Sequence, residues 1–283
     1  MTIDLDAYRE LSRATWGEVA PGWEARREWM HDVTAPVAAW LIEHLDPQPG
    51  QTILDIASGT GDLGFAIAER VGASGRVLST DFSPEMVEVA RKNGKRRGAA
   101  NVEHRVLDAE RMDLADESVD GALCRWGYML MADPGTALRE TRRVLREDGR
   151  LAFAVWTPPD RNLWAAIPSM MLVERGVVPP PEPGAPGIFA LGDDTRIRAL
   201  VDGAGFPEPL IEEIPFAFGY ADFDDFWDAI VRLAGPIARV INAMTDADRD
   251  SVRTELAERI ADFKQDDGSY SVPASSWGVS VER

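Results

Sequence analysis

Between residues 51 and 156, short apolar runs rich in Val, Ile and Leu alternate with stretches whose apolar positions recur every three to four residues. That alternation is the pattern of βα units feeding a parallel sheet. The apolar runs predict strands at Thr52–Ala57, Arg76–Asp81, Val102–Leu107, Val119–Cys124 and Arg150–Trp156. Ser83-Pro84 and Asp133-Pro134 each place a capping side chain before a proline, which marks the start of a helix. The second of these helices is expected to carry Arg142, Arg143 and Arg146 in its last turns and to stop at Gly149. Residues 1–50 read as helical and hold Trp16, Trp23, Trp29 and Trp40, with Pro47–Gly50 forcing a turn into the first strand. Segment 158–190 holds eight of the 19 prolines, so an irregular, stiff excursion is expected there. Helix returns at 194–204, a strand at 210–218, helices at 223–233 and 246–263, and a last strand within 269–281. The expected division is a helical cap (1–50), a cofactor-binding core (51–157), and lid insertions with the last strands of the core (158–283).

Composition narrows the function classes. A chain of 283 residues with 45% hydrophobic and 28% charged residues is an ordinary globular protein. Its 48 acidic against 30 basic residues give a net charge of −18, which opposes a phosphate backbone and an anionic membrane surface. No nucleic-acid partner is therefore expected. The one basic run, Arg91–Arg97, ends a predicted helix, where cations complement the dipole. Cys124 is the only cysteine, so neither an internal disulfide nor a cysteine-based metal cluster can form, and a reducing, cytoplasmic location is expected. The acidic start is unlike a signal peptide, and charges interrupt every apolar run short of a membrane span, so no stable membrane insertion is expected.

The most informative stretch runs from Ile53 to Gly64, where a strand enters a turn containing Gly59 and Gly61. Glycine suits such a turn because the backbone must reverse sharply and approach a ligand closely. Gly59–Gly64 matches G-x-G-x-x-G with Asp81 twenty residues past Gly61, so an NAD(P)-dependent oxidoreductase is a rival on glycines alone. Three further features weigh against it. Asp55, four residues before Gly59, places a carboxylate that a nicotinamide pyrophosphate does not need. Asp108-Ala109 after the third strand offers a side-chain acceptor and a backbone N–H at the height of a nucleobase. The fourth-strand segment Val119–Met131 leads through Asp133-Pro134 to Arg143–Leu151.

Together these features resemble a class I S-adenosylmethionine-dependent methyltransferase, of the small-molecule group related to the quinone C-methyltransferases, over about residues 50–157. Ser58–Leu63 is similar to the loop of the quinone enzymes. The resemblance implies an α/β, Rossmann-like, doubly wound sheet of seven strands in the order 3-2-1-4-5-7-6 with the last strand antiparallel. It also implies that Ala57, Ser58, Gly59 and Gly61 face the methionyl part of S-adenosylmethionine while Asp55 holds its amino group. Asp81 then takes the ribose hydroxyls, Phe82 packs near the adenine, and Asp108 with the Ala109 N–H reads the base. Arg125 and the residues up to Tyr128 border cofactor and acceptor, and S-adenosylhomocysteine is the product.

Methyl transfer from a sulfonium is an in-line displacement, so the enzyme mainly aligns the reactants and excludes water. A base is required only for an acceptor that is protonated at neutral pH. His31 and Tyr128 are the candidates, His44 and His104 reading as structural. The pairs Asp193-Asp194, Asp224-Asp225 and Asp266-Asp267 suit solvated helix starts, and no metal is expected. Trp156, Trp164, Met170 and Met171 suit either an apolar acceptor cavity or core packing. The expected activity is methylation of a small, mostly apolar, aromatic or polyketide-like acceptor, with quinone C-methylation as a specific alternative. An NAD(P)-dependent oxidoreductase and a catalytically silent cofactor-binding protein are the rivals from other classes.

Overall fold

The computed structural model describes residues 4–182 and 184–283. Its seven strands are β1 (Thr52–Ile56), β2 (Arg76–Asp81), β3 (Val102–Val106), β4 (Val119–Arg125), β5 (Leu145–Trp156), β6 (Leu210–Tyr220) and β7 (Tyr270–Glu282). They form one sheet in the order β3-β2-β1-β4-β5-β7-β6, the order expected. Strands β1 to β5 pair in parallel, and β7 runs antiparallel to both β5 and β6. Helices cover both faces, so the central strands are apolar on both sides: Ile53, Leu54 and Ile56 of β1 and Ala122, Leu123 and Cys124 of β4 are all buried. Because β1 has β2 on one side and β4 on the other, the strand order reverses at their C-terminal ends and a crevice opens there.

Helices α1 (Leu5–Ala25), α2 (Arg27–Val33) and α3 (Ala35–Leu45) precede the sheet. Within the sheet region lie α4 (Asp62–Val71), α5 (Pro84–Arg97), α6 (Pro134–Val144), α7 (Leu163–Glu174) and α8 (Asp194–Gly203). Between β6 and β7 the chain makes α9 (Phe223–Leu233), α10 (Pro236–Asn242) and α11 (Asp246–Arg259). The predicted caps form: Ser83 Oγ accepts from the Met86 N–H at 3.3 Å, and Asp133 Oδ1 from the Thr136 N–H at 2.9 Å. Among the described residues no helix is long and apolar enough to cross a membrane.

Two local expectations are corrected. α6 stops at Val144, and Arg146 and Gly149 lie inside β5, which starts at Leu145. The side chain of Leu145 is fully buried opposite Val119, so pairing with β4 captures this residue before the helix can extend. The first part of the proline-rich segment is also regular, because α7 forms across Pro168. Its sequence is apolar on nearly every side and Ala165, Ala166, Met171 and Leu172 are buried, so tertiary packing outweighs the loss of one backbone donor.

The two ends of the chain meet above the crevice. At Gly22 of α1 a Cβ would come within 2.5 Å of the Arg232 carbonyl of α9, so glycine is required for this helix crossing. Beside it the Trp23 Nε1–H donates to the Leu233 carbonyl at 3.2 Å, and Arg26 pairs with Asp225 and Asp228. The helical cap and the β6–β7 insertion thus form one roof.

Candidate functional site

The turn between β1 and α4 takes three left-handed residues, Ala57 (φ 54°), Gly59 (φ 54°) and Gly61 (φ 87°). The two glycines do different jobs. A Cβ on Gly59 would meet nothing within 4 Å, so the backbone there lies open to the crevice. One on Gly61 would press on Phe65 at 3.0 Å and Ala90 at 3.2 Å. Gly61 makes room for Phe65 and Ala90, and the cleft is lined by its neighbours Gly59 and Thr60. The loop is tied down from β2: Asp81 accepts the Gly59 N–H at Oδ2 and the Ser83 N–H at Oδ1, both at 2.9 Å. Each carboxylate oxygen keeps a lone pair for a further donor. Ser58 accepts from the Ser79 hydroxyl at 2.9 Å.

Asp55 is 2% exposed, and its Oδ2, which lies against the Gly64 backbone, makes no hydrogen bond. Burial pushes its carboxyl up to about 8; Arg125 opposes the shift and Asp81 adds to it. An unpaired polar atom at this depth is costly unless a ligand supplies its partner. At the end of β3, Asp108 Oδ1 accepts the Glu110 N–H at 2.9 Å, holding the turn that presents Ala109. Phe82 lies nearby with the Arg13 guanidinium 4.2 Å over its ring. Asp55, Ala57, Ser58, Gly59, Asp81, Phe82, Asp108, Ala109 and Arg125 all line one continuous cleft.

The same cleft continues into an aromatic chamber. Trp126 stacks on Trp156 with ring centroids 4.2 Å apart, Trp164 lies 5.0 Å from Trp156, and Trp29 lies 5.4 Å from Tyr220. The indole N–H groups of Trp23, Trp29 and Trp126 are spent on Leu233, Gly219 and Ser276, so these rings offer the chamber apolar surface and no donor. Trp156 and Trp164 are therefore cavity residues, whereas Met171 is buried in the core and Met170 is exposed.

Neither base candidate reaches this space. Tyr128 is fully buried, its hydroxyl 2.7 Å from Thr141 Oγ1 and its ring set edge-on to Phe153 at 5.1 Å. Burial raises its pKa well above the ordinary phenol value, and it does not line the cleft. His31 is exposed in the last turn of α2, whose Trp29 and Met30 do line the cleft. His44 stacks on Trp40 at 3.8 Å, and His104 sits edge-on to Phe65 at 5.9 Å. Several cleft residues escaped the sequence reading, among them Trp29, Phe218 and Tyr220. For β6 a signal existed: Phe216, Phe218 and Tyr220 alternate at the strand period and so share one face.

Residues 47–165 match the family model of the Methyltransferase domain. The chain carries a class I S-adenosylmethionine-dependent methyltransferase domain. Over 181 residues the chain is 32% identical to the arsenite methyltransferase of Halobacterium salinarum, covering 64% of this chain and 43% of that one. Over 158 residues it is 30% identical to the 2-phytyl-1,4-naphtoquinone methyltransferase of Trichormus variabilis, covering 53% of this chain and 66% of that one. The chain spans between about a third and two thirds of the curated relatives it matches. A putative methyltransferase of Bacillus halodurans shares the fold with a TM-score of 0.58 at 21% identity, covering 87% of this chain and 97% of that one.

Proposed function

We propose that this methyltransferase transfers a methyl group from S-adenosylmethionine to a small, mostly apolar, aromatic acceptor held in the indole-walled chamber. The observation that carries this reading is the continuity of the cleft, which joins Asp55, Asp81 and Asp108 to Trp126, Trp156 and Trp164 without a break.

The residues present suit the cofactor. The Asp55 carboxyl, which lines the cleft, suits an ammonium donor, and the open space at Gly59 leaves room for a chain to pass the backbone. Asp81, with a lone pair free on each oxygen, suits a ribose diol, and Asp108 with Ala109 suits the edge of a purine near Phe82. When bound, S-adenosylmethionine supplies a methyl carbon already activated by a sulfonium. The chain's part is to orient, to exclude water under the roof of α1 and α9, and to hold a flat acceptor between π faces.

The quinone relative supports an aromatic acceptor, and quinone C-methylation stays within this reading. Arsenite suits the chamber poorly, since a soft metalloid seeks thiolates and the one cysteine, Cys124, is fully buried, its thiol pushed up to about 12 by that burial. Two measurements test the reading. S-adenosylhomocysteine is expected to raise the melting temperature and NADH to leave it unchanged. Labelled S-adenosylmethionine is expected to pass its methyl to members of a panel of phenols, quinones and amines. Stabilisation by NADH instead would favour the oxidoreductase, and cofactor binding with no labelled product would favour a silent protein.

A further inference from the structure

Two cations line the cleft among the described residues, Arg9 and Arg125. Arg9 is paired with Glu110 and Asp6. Arg125 is not: no carboxylate lies within 4.0 Å of it among the described residues, and its single hydrogen bond runs from Nη1 to Thr34 Oγ1 at 3.0 Å. Asp62 and Asp55 act on its charge from beyond contact distance. Asp62 is held by Arg27 at 2.6 Å and Arg97 at 3.2 Å, and the unpartnered Oδ2 of Asp55 faces Gly64. A guanidinium has five N–H donors in a planar fork, so most of those of Arg125 remain unused inside a low-dielectric cleft.

Its position belongs to the acceptor side. The guanidinium lies 5.3 Å over the ring of Trp126, and Trp126 stacks on Trp156 to make the flat wall of the chamber. The tie to Thr34 draws it toward the α2–α3 junction, next to Trp29 and Met30 of α2. Among the described residues no histidine, lysine or cysteine lines the cleft, and its proton acceptors are the carboxylates of Asp55, Asp81, Asp108 and Glu110. A guanidinium with spare donors and no carboxylate in contact suits a nucleophile that arrives already ionised.

We infer that Arg125 is the receptor for an anionic oxygen of the acceptor, which is therefore a phenol or enol bound as its oxyanion on the Trp126–Trp156 wall. This inference rests on the methyltransferase reading and names its substrate class. The acceptor hydroxyl gives its proton to water on entering, and Arg125 takes the negative charge. The oxyanion, or the ring carbon beside it, forms the new bond to the methyl carbon while the carbon–sulfur bond breaks with its electron pair going to sulfur. On the carbon route the displaced ring proton leaves to water afterwards. A dedicated histidine or lysine base is not required once the oxyanion is stabilised. A single acidic hydroxyl is also compatible with the strongly negative protein, where a polyanion is not.

Umbelliferone tests this, because its phenol and phenolate absorb differently. With S-adenosylhomocysteine bound, the wild-type protein is expected to lower the apparent pKa of umbelliferone by about one unit, as a cation at close range does. Arg125→Met is expected to abolish that shift and to leave binding of the methyl ether, 7-methoxycoumarin, unchanged. Arg125→Lys is expected to retain part of the shift. Thr34→Val, which removes the anchor and keeps the shape, is expected to reduce it even if the Arg125 variants fold poorly. Failure of the wild type to bind umbelliferone, or binding without a shift, overturns the inference. So does a tenfold loss of S-adenosylhomocysteine affinity in Arg125→Met, which would assign the guanidinium to the cofactor's carboxylate. Absence of any S-adenosylhomocysteine binding by the wild type would instead defeat the methyltransferase reading itself.

Discussion

Arg9 in the second turn of α1 donates from Nε to Glu110 Oε2 at 3.2 Å, and Glu110 follows directly on the Asp108-Ala109 pair. Glu110 is 6% exposed and also accepts the Ala132 N–H at 3.0 Å, while Tyr8, one residue earlier, donates to the Leu130 carbonyl at 2.9 Å. The start of α1 is thereby fastened across the end of the cleft where a purine is proposed to sit. Cofactor exchange then requires this contact to open. Glu110→Gln is predicted to speed dissociation of S-adenosylhomocysteine several-fold, since it removes a largely buried charge pair and leaves Arg9 undercompensated. Stopped-flow tryptophan fluorescence would read the rate, and a rate equal to wild type would discard the latch.

Asp55 predicts a pH dependence whose sign is fixed by its raised folded-state pKa. The carboxyl keeps its proton in the folded protein up to about 8, whereas in the unfolded chain it ionises near the ordinary value of about 4. The folded state therefore binds the extra proton between those limits, and the stability contributed by this group is full below about pH 4 and lost as pH rises through about 8. In the absence of cofactor, Asp55→Asn is predicted to flatten the fall in melting temperature over that window and to weaken binding of S-adenosylhomocysteine. A variant that melts with the same pH profile as wild type would contradict the assignment.

Below pH 8, binding of an ammonium beside Asp55 is predicted to release a proton, because a nearby cation favours the ionised carboxyl. Calorimetry in buffers of different ionisation enthalpy should return different apparent heats for S-adenosylhomocysteine. Equal heats in all buffers at pH 7 would show that no proton moves.

Asp81→Ala removes the acceptor that ties Gly59 and Ser83 together and, in the proposed mode, the partner of the ribose. A loss of about 2–3 kcal/mol in cofactor binding is predicted, as for a charged hydrogen-bond acceptor in a partly buried place. An unchanged dissociation constant would displace the cofactor from this crevice.

His31→Ala and Tyr128→Phe are predicted to leave the rate of methyl transfer within a factor of two or so of wild type. Tyr128→Phe should cost about 1 kcal/mol of stability, because Thr141 loses a buried hydrogen-bond partner. A drop in kcat of tenfold or more in either variant, with the fold intact, would return that residue to the chemistry.

What the sequence disclosed and what it hid have physical causes. The core strands are buried on both faces, so their composition announced them with little error, and the capping residues fixed the starts of α5 and α6. The sheet order came through resemblance, since no apolar run says which neighbour it will pair with. The turn at the head of the cleft was legible because its backbone sets the residue types: Gly59 takes a left-handed φ and Asp81 accepts the Gly59 and Ser83 N–H groups. The site was obscured beyond β4 because Trp126 takes φ 60° and a short 3-10 turn, Tyr128–Leu130, follows. That left-handed residue breaks the two-residue period, so Trp126 lines the chamber while Tyr128 is driven into the core. At Gly61 the sequence showed the ligand-loop pattern but not the packing task, in which the missing side chain makes room for Phe65 and Ala90.

The meeting of Trp23 with the Leu233 carbonyl joins positions 210 apart in the chain. Closing so large a loop costs more entropy than pairing β1 with β2, and it gains nothing until β6 and β7 have assembled. The crevice is therefore expected to order early in folding and its roof last. During synthesis the residues proposed to face the nucleotide, which lie in β1 to β4 and the loops after them, emerge well before β6 and α9, which close the aromatic chamber.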